Sequence, residues 1–292
     1  MPGTLTKRSD LIIPQILVEA IQGEFEDANL LAGTGVAVQS PSLPNDKKGG
    51  DTVTVPYFGT LGEMEDIENE GDALTPESLS MSSETATVTH SGKAFSITEW
   101  ARMSEAGDAY AEAARQFRVI TQRRVDLALI TKATAGLSSD YILDISALPT
   151  ANKISYDAMI DAAGLWQDEF QEIVLMGVHS KVYRDLLHMK DSTGRHMLEL
   201  PSADQPIPRF MGIPVVVSNK CTKTVGSPDT YETLLCKRAA LAFWWQNPPK
   251  VVTDYDALAD TDVLAIHMYW AAHRYLRQRG STRPGIVKLV TQ

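Results

Sequence analysis

The sequence predicts an α+β protein in which long segments cannot bury their own apolar residues. Three observations carry this reading. An amphipathic pattern runs over residues 104–135, strand and short-helix patterns alternate from residue 150 onward, and the first 92 residues hold an arm and a loop with little regular period.

Taken in order, residues 1–48 contain one short helical signal. Ile13, Ile16, Leu17, Ala20 and Ile21 fall at 3/4 spacing, with Pro14 suited to a first turn and Gly23 to a stop. Gly33, Gly35, Pro41, Pro44 and the run 45–50 punctuate the rest, which reads as an extended arm. Residues 52–58 alternate with period two, placing Val53, Val55 and Tyr57 on one face, and Pro56 restricts that strand to an edge or an end. A second strand pattern over 85–98 breaks at Ser91-Gly92. The stretch 59–83 between them has neither period, and a loop of that length marks a functional projection or disorder.

The helix over 104–135 shows Tyr110, Ala113, Ala114, Phe117, Ile120, Thr121, Val125, Ala128 and Leu129 as one stripe. Glu112, Arg115, Arg118, Gln122, Arg123 and Asp126 form the other side, and Gly136 ends it. Next come an amphipathic helix over 155–170, through Met159, Ala162, Ala163 and Trp166, and a buried strand over 173–176. Ser180 then caps a helix over 181–189. Strand patterns follow at 212–218, 233–236, 239–245, 251–252, 263–270 and 286–290, with no internal repeat.

Composition narrows the function. At 43% apolar and 22% charged, the 292 residues are those of an ordinary globular protein. No apolar run approaches the roughly 20 residues that cross a bilayer, and the N-terminus has no apolar core of signal-peptide length. Cys221 and Cys236 stand too far apart for a zinc knuckle and too few for a disulfide framework, which fits a reducing cytoplasm. A net charge of −10 argues against coating nucleic acid.

Motifs for chemistry are weak throughout. His179-Ser180 follows a strand but lacks the G-x-S-x-G elbow, and neither His188 with His196 nor His267 with His273 has metalloprotease spacing. Gly33 and Gly35 open no helix after a strand. Asp254, Asp256, Asp260 and Asp262 form an acidic turn without the twelve-residue calcium-loop pattern, and Trp244, Trp245 and Trp270 read as core or contact aromatics. No catalytic, cofactor or metal residue is predicted. The chain reads instead as a structural subunit that assembles with copies of itself, Ile12, Ile16, Leu17, Val53, Val55, Tyr57 and Phe58 needing neighbours for cover.

Charge is unevenly placed. Residues 51–92 carry nine acids (Asp51, Glu63, Glu65, Asp66, Glu68, Glu70, Asp72, Glu77, Glu84) and no Lys or Arg, whereas from 271 onward Arg274, Arg277, Arg279, Arg283 and Lys288 occur without an acid. Either the acidic loop lies on a basic surface of the adjacent subunit, or both are solvated faces.

In order and spacing, the pieces resemble the major capsid proteins of tailed bacteriophages, with the Hong Kong 97-type fold. The likeness spans nearly the whole chain and rests on residues 11–17, 50–58, 70–74 (Glu-Gly-Asp-Ala-Leu), 93–98, 212–217 and 237–242. It implies an N-terminal arm (1–48), an extended two-stranded loop (49–92), and a peripheral domain (93–149) with the spine helix. An axial domain (150–237) follows, and then a segment (238–292) that mainly returns to the peripheral domain. It also implies pentamers and hexamers in an icosahedral head around double-stranded DNA, with portal, scaffold and decoration proteins as partners and assembly in the bacterial cytoplasm. Some members join subunits through a loop lysine. None occurs in 51–92, so the shell is expected to be non-covalent; and because the chain begins almost at the arm, a separate scaffold or none is expected. An encapsulin-type compartment and a cytoplasmic α/β enzyme with a disordered acidic insertion are the alternatives.

Overall fold

The computed structural model describes residues 31, 36–39, 52–59, 61–62, 64, 66, 75–104, 109–149, 152–201, 207–276 and 283–292. The helix expected within the arm, the motif at 70–74 and Arg277 and Arg279 lie outside them. In chain order the elements are β1 (Ala37–Gln39), β2 (Thr52–Phe58), β3 (Met81–Thr87), β4 (Thr89–Thr98), α1 (Glu99–Ser104), α2 (Ala109–Thr134) and β5 (Ile142–Asp144). There follow α3 (Tyr156–Gly164), β6 (Ile173–Val178), α4 (Ser180–His188), β7 (Leu198–Glu199), β8 (Arg209–Phe210), β9 (Ile213–Val217) and β10 (Lys223–Thr224). The last four are β11 (Thr230–Lys237), β12 (Leu241–Asp256), β13 (Thr261–Arg274) and β14 (Ile286–Thr291). The fold is α+β.

One sheet has the order β1-β12-β13-β4, antiparallel except where β1 runs parallel to β12. Its central strands form a hairpin 16 and 14 residues long, so the sheet extends roughly 50 Å. The sequence patterns at 239–245 and 251–252 are thus parts of one strand. Pro248 and Pro249 pass through it because pairing steps from Asn247–Tyr269 to Lys250–His267, leaving the two residues without an N–H where no ladder bond is required.

The 26-residue α2, roughly 40 Å long, lies against this sheet. Its described part runs from Ala109, the residues 105–108 before it lying outside those described; Gly136, at φ +63°, follows its end. Ala113 and Phe117 meet Val251, Leu264 and Ile266, while Val125, Leu129 and Ala133 join Leu241, Phe243, Met268 and Trp270. Alternation along β13 sends Leu264, Ile266, Met268 and Trp270 to the helix face and His267 and Tyr269 to the opposite one.

The second sheet is mixed, with order β5-β14-β11-β6-β9-β8-β7 and β10 paired on β11. Its core joins Met159 and Ala162 of α3, Val182 and Leu186 of α4, and Met176, Val178, Val215, Leu235, Val287 and Leu289 of the strands. The C-terminal run enters this sheet as β14, between β5 and β11. The helix expected over 155–170 stops at Gly164. Gln167 adopts φ +55°, and the turn it makes leaves Trp166 fully buried, donating from Nε1 to the Pro284 carbonyl at 2.8 Å. The cap of α4 is His179, whose Nδ1 accepts from the Lys181 N–H at 3.2 Å, so the helix begins at Ser180 itself.

Strands β2 and β3 pair as a two-stranded ribbon. The second strand pattern breaks at Val88, where the chain leaves the ribbon for the long sheet, and Gly92 lies inside β4. A Cβ there would come within 2.9 Å of both the His267 ring and the Ile266 carbonyl, so glycine is what permits the close approach.

Candidate assembly surfaces

The ribbon has two unlike halves. Near its base, Val53, Val55 and Ala86 pack on Ala242, Trp244 and Ala271, on the face of the long sheet opposite α2. Glu84 adds a hydrogen bond with His273 Nε2 at 2.5 Å, both side chains being nearly buried. Val53 and Val55, expected to need a neighbouring subunit, therefore find half-burial within their own chain. Beyond Tyr57 the cover ends. Phe58, Leu61, Met64, Leu79 and Met81 are all more than half exposed, Met64 at 98%. Bonds from Gly59 N to Ser80 O and from Gly62 N to the Glu77 carboxylate, both 2.8 Å, hold this end together locally. Covering five such side chains is worth roughly 7–15 kcal/mol before the costs of association.

A second bare apolar group lies at the turn between β12 and β13. Trp100 and Met103 of α1 are 82% and 74% exposed and Leu258 fully so. The Glu99 N–H donates to the Asp260 carbonyl at 3.0 Å, and Arg102 bridges Glu99 and Asp262. The Tyr110 hydroxyl donates to Asp262 at 2.6 Å; burial first, then this carboxylate, pushes the phenol up to about 12. The acids of this turn engage protein donors: Asp260 accepts from the Tyr255 hydroxyl, and Asp256 from the backbone of Leu258 and Ala259. Among the described residues no group of three or more His, Cys, Asp or Glu converges on a metal position.

The structure turns the three described tail cations inward. Arg274 is buried, its guanidinium donating to the Ala133 and Gly136 carbonyls at the end of α2. Arg283 donates to Asp168 and to the Trp166 carbonyl, and Lys288 pairs with Glu232 at 2.9 Å. Three of the five cations expected to receive a neighbour's acidic loop are thus engaged within the subunit.

Sequence reasoning missed two internal latches. Asp126, assigned to the polar side of the helix, is buried at 3% exposure; it pairs with Lys220 at 2.8 Å and accepts from the Leu31 N–H, tying arm, spine and mixed sheet. Its position one residue after Val125 in the apolar stripe was the available signal. Lys237 is fully buried, 3.0 Å from Glu169 and over the Trp166 ring. No residue type at that position announces burial. His179 engages its Nδ1 as a helix cap, and burial together with nearby Lys223 lowers its pKa. His196 bonds the Leu187 carbonyl, and His267 and His273 have different partners.

Comparison with known proteins places this geometry. Residues 48–255 match the phage capsid family. The chain is 30% identical to the major capsid protein of Staphylococcus phage phiMR11 over 126 residues, which is 43% of this chain and less than half, 44%, of that one. It is 22% identical to the major capsid protein of Bacillus phage SPP1 over 283 residues, 92% of this chain and 85% of that one. The fold is similar to the capsid of Ralstonia phage GP4, with a TM-score of 0.68 at 11% identity, covering 88% of this chain and 87% of that one. A family match over most of its length, on an α+β frame that leaves a ribbon tip and a sheet end without cover, identifies the chain as a member of the phage capsid family.

Proposed function

We propose that this chain is a major capsid protein whose copies close, without covalent links, into the icosahedral head that encloses the phage's double-stranded DNA. The observation that carries the reading is the ribbon tip, where five large apolar side chains stand in water in the isolated subunit. Copies of the same chain supply the cover. Its role is structural and not enzymatic, as befits its family.

The finer plan follows the Hong Kong 97 type. Residues 1–48 act as the arm, 49–92 as the extended loop, 93–149 as the peripheral domain with its spine helix, and 150–237 as the axial domain that meets its copies at pentamer and hexamer centres. Residues 241–274 return to the long sheet, supporting a peripheral role, whereas β14 joins the mixed sheet. Portal, scaffold and decoration proteins are the expected partners in the virion, and the DNA is contained without sequence-specific binding, in keeping with a net charge of −10. Negative-stain imaging of the purified chain, alone and with its scaffold, is expected to show closed particles tens of nanometres across. A lasting monomer of 32.0 kDa at high concentration in both conditions overturns the proposal.

A further inference from the structure

The face of the long sheet opposite α2 is covered by the ribbon only at one end. Farther along lies an open cavity of about 670 Å³ lined by His90, Asn247, Pro248, Pro249, Lys250, Val252, His267 and Tyr269. Two of its imidazoles meet across the β4–β13 pairing, His90 Nε2 standing 3.2 Å from His267 Nδ1. Both rings are exposed to solvent.

We infer that His90 and His267 form a two-ligand chelate for a borderline divalent cation of the Zn²⁺ class, with water in the remaining positions. The distance supports this. Two Zn–N bonds of about 2.0–2.1 Å at a tetrahedral angle place their nitrogens roughly 3.3–3.4 Å apart, close to the spacing already present. Either ring nitrogen of a neutral histidine serves as a ligand, so Nε2 of one and Nδ1 of the other are a chemically ordinary pair.

Two features hold the rings in place. Tyr269 stacks flat on His90, with centroids 4.3 Å apart and planes within 6°. Gly92 sits directly across from His267, and any Cβ there would press to within 2.9 Å of Nδ1, so the strand forgoes a side chain at the point where the ligating nitrogen needs room. Among the described residues the cavity lining has no carboxylate, which disfavours the hard cations Mg²⁺ and Ca²⁺. Lys250, paired with His267 in register, is the one cation among the described lining residues and opposes the bound charge. A bound ion would pin β4 to β13 across the centre of the long sheet.

Isothermal titration of ZnCl₂ into the full chain is expected to show one site per subunit. His90→Gln and His267→Gln each should weaken it by more than the roughly 10–100-fold that follows loss of a mere outer-shell partner. His188→Gln should leave it unchanged, Lys250→Ala should tighten it, and MgCl₂ should give no heat. Circular dichroism of the two chelate variants without zinc checks that each keeps the native fold. Absence of zinc binding to the parent chain, or binding that persists in either chelate variant, overturns the inference and leaves the contact an imidazole–imidazole hydrogen bond.

Discussion

In the eight-stranded sheet the charged and aromatic groups that reach the interior find partners in the same chain. Lys237 meets Glu169, Lys288 meets Glu232, and Trp166 donates to Pro284. The four-stranded sheet is covered on one face by α2 and at one end of the other by the ribbon base, but the ribbon tip and the β12–β13 turn stay apolar and bare at Phe58, Met64, Trp100 and Leu258. The contrast separates two kinds of stability. The mixed sheet is finished by folding, while the extensions of the long sheet are finished only by association.

Substitutions can break or sharpen that contrast. Trp166→Ala, at the centre of the self-contained part, is expected to lower subunit stability by about 3–5 kcal/mol in urea denaturation, since it leaves a large cavity and an orphaned carbonyl. Shells should fail with it because their subunits fail. At the end of the long sheet, Tyr110→Phe removes one partly buried hydroxyl donor and should cost about 1 kcal/mol. The phenol's folded value is raised to about 12 from an ordinary 10. Its contribution is therefore fully present below pH 10 and lost as pH rises toward 12, a loss that the phenylalanine variant should not share when the two melting curves are compared. Phe58→Ser should change subunit stability by no more than about 0.5 kcal/mol, yet sharply reduce particle yield in negative stain. A stable Phe58→Ser chain that assembles as well as its parent removes the ribbon tip from the interface.

Much of the frame was legible in the sequence because it rests on period. The spine helix, β2, β6 and β9 follow from spacing alone, and the α+β class follows from their mixture. Residues whose surroundings are set by distant segments were not legible. Val53 and Val55 look unpartnered until Trp244 is placed against them. Asp126 looks like an ordinary polar-face acid until Lys220, from another region, reaches it. The paired prolines at 248–249 look like a strand end because the register step that accommodates them belongs to β13 as much as to β12. The bare tip itself had one visible cue, Phe58, in a segment otherwise marked by its acids.

The place of β14 bears on how long a subunit takes to become whole. Strand β5 is joined to β11 only through residues 286–291, which lie between them and pair with both, so the mixed sheet cannot close while that segment is unmade. At about 5–20 residues per second, synthesis of the chain occupies on the order of 15–60 s. For roughly the second half of that interval the ribbon and α2 segments are already made while the strand that joins β5 to β11 is not. A truncated product that lacks β14 carries the adhesive tip without a finished body.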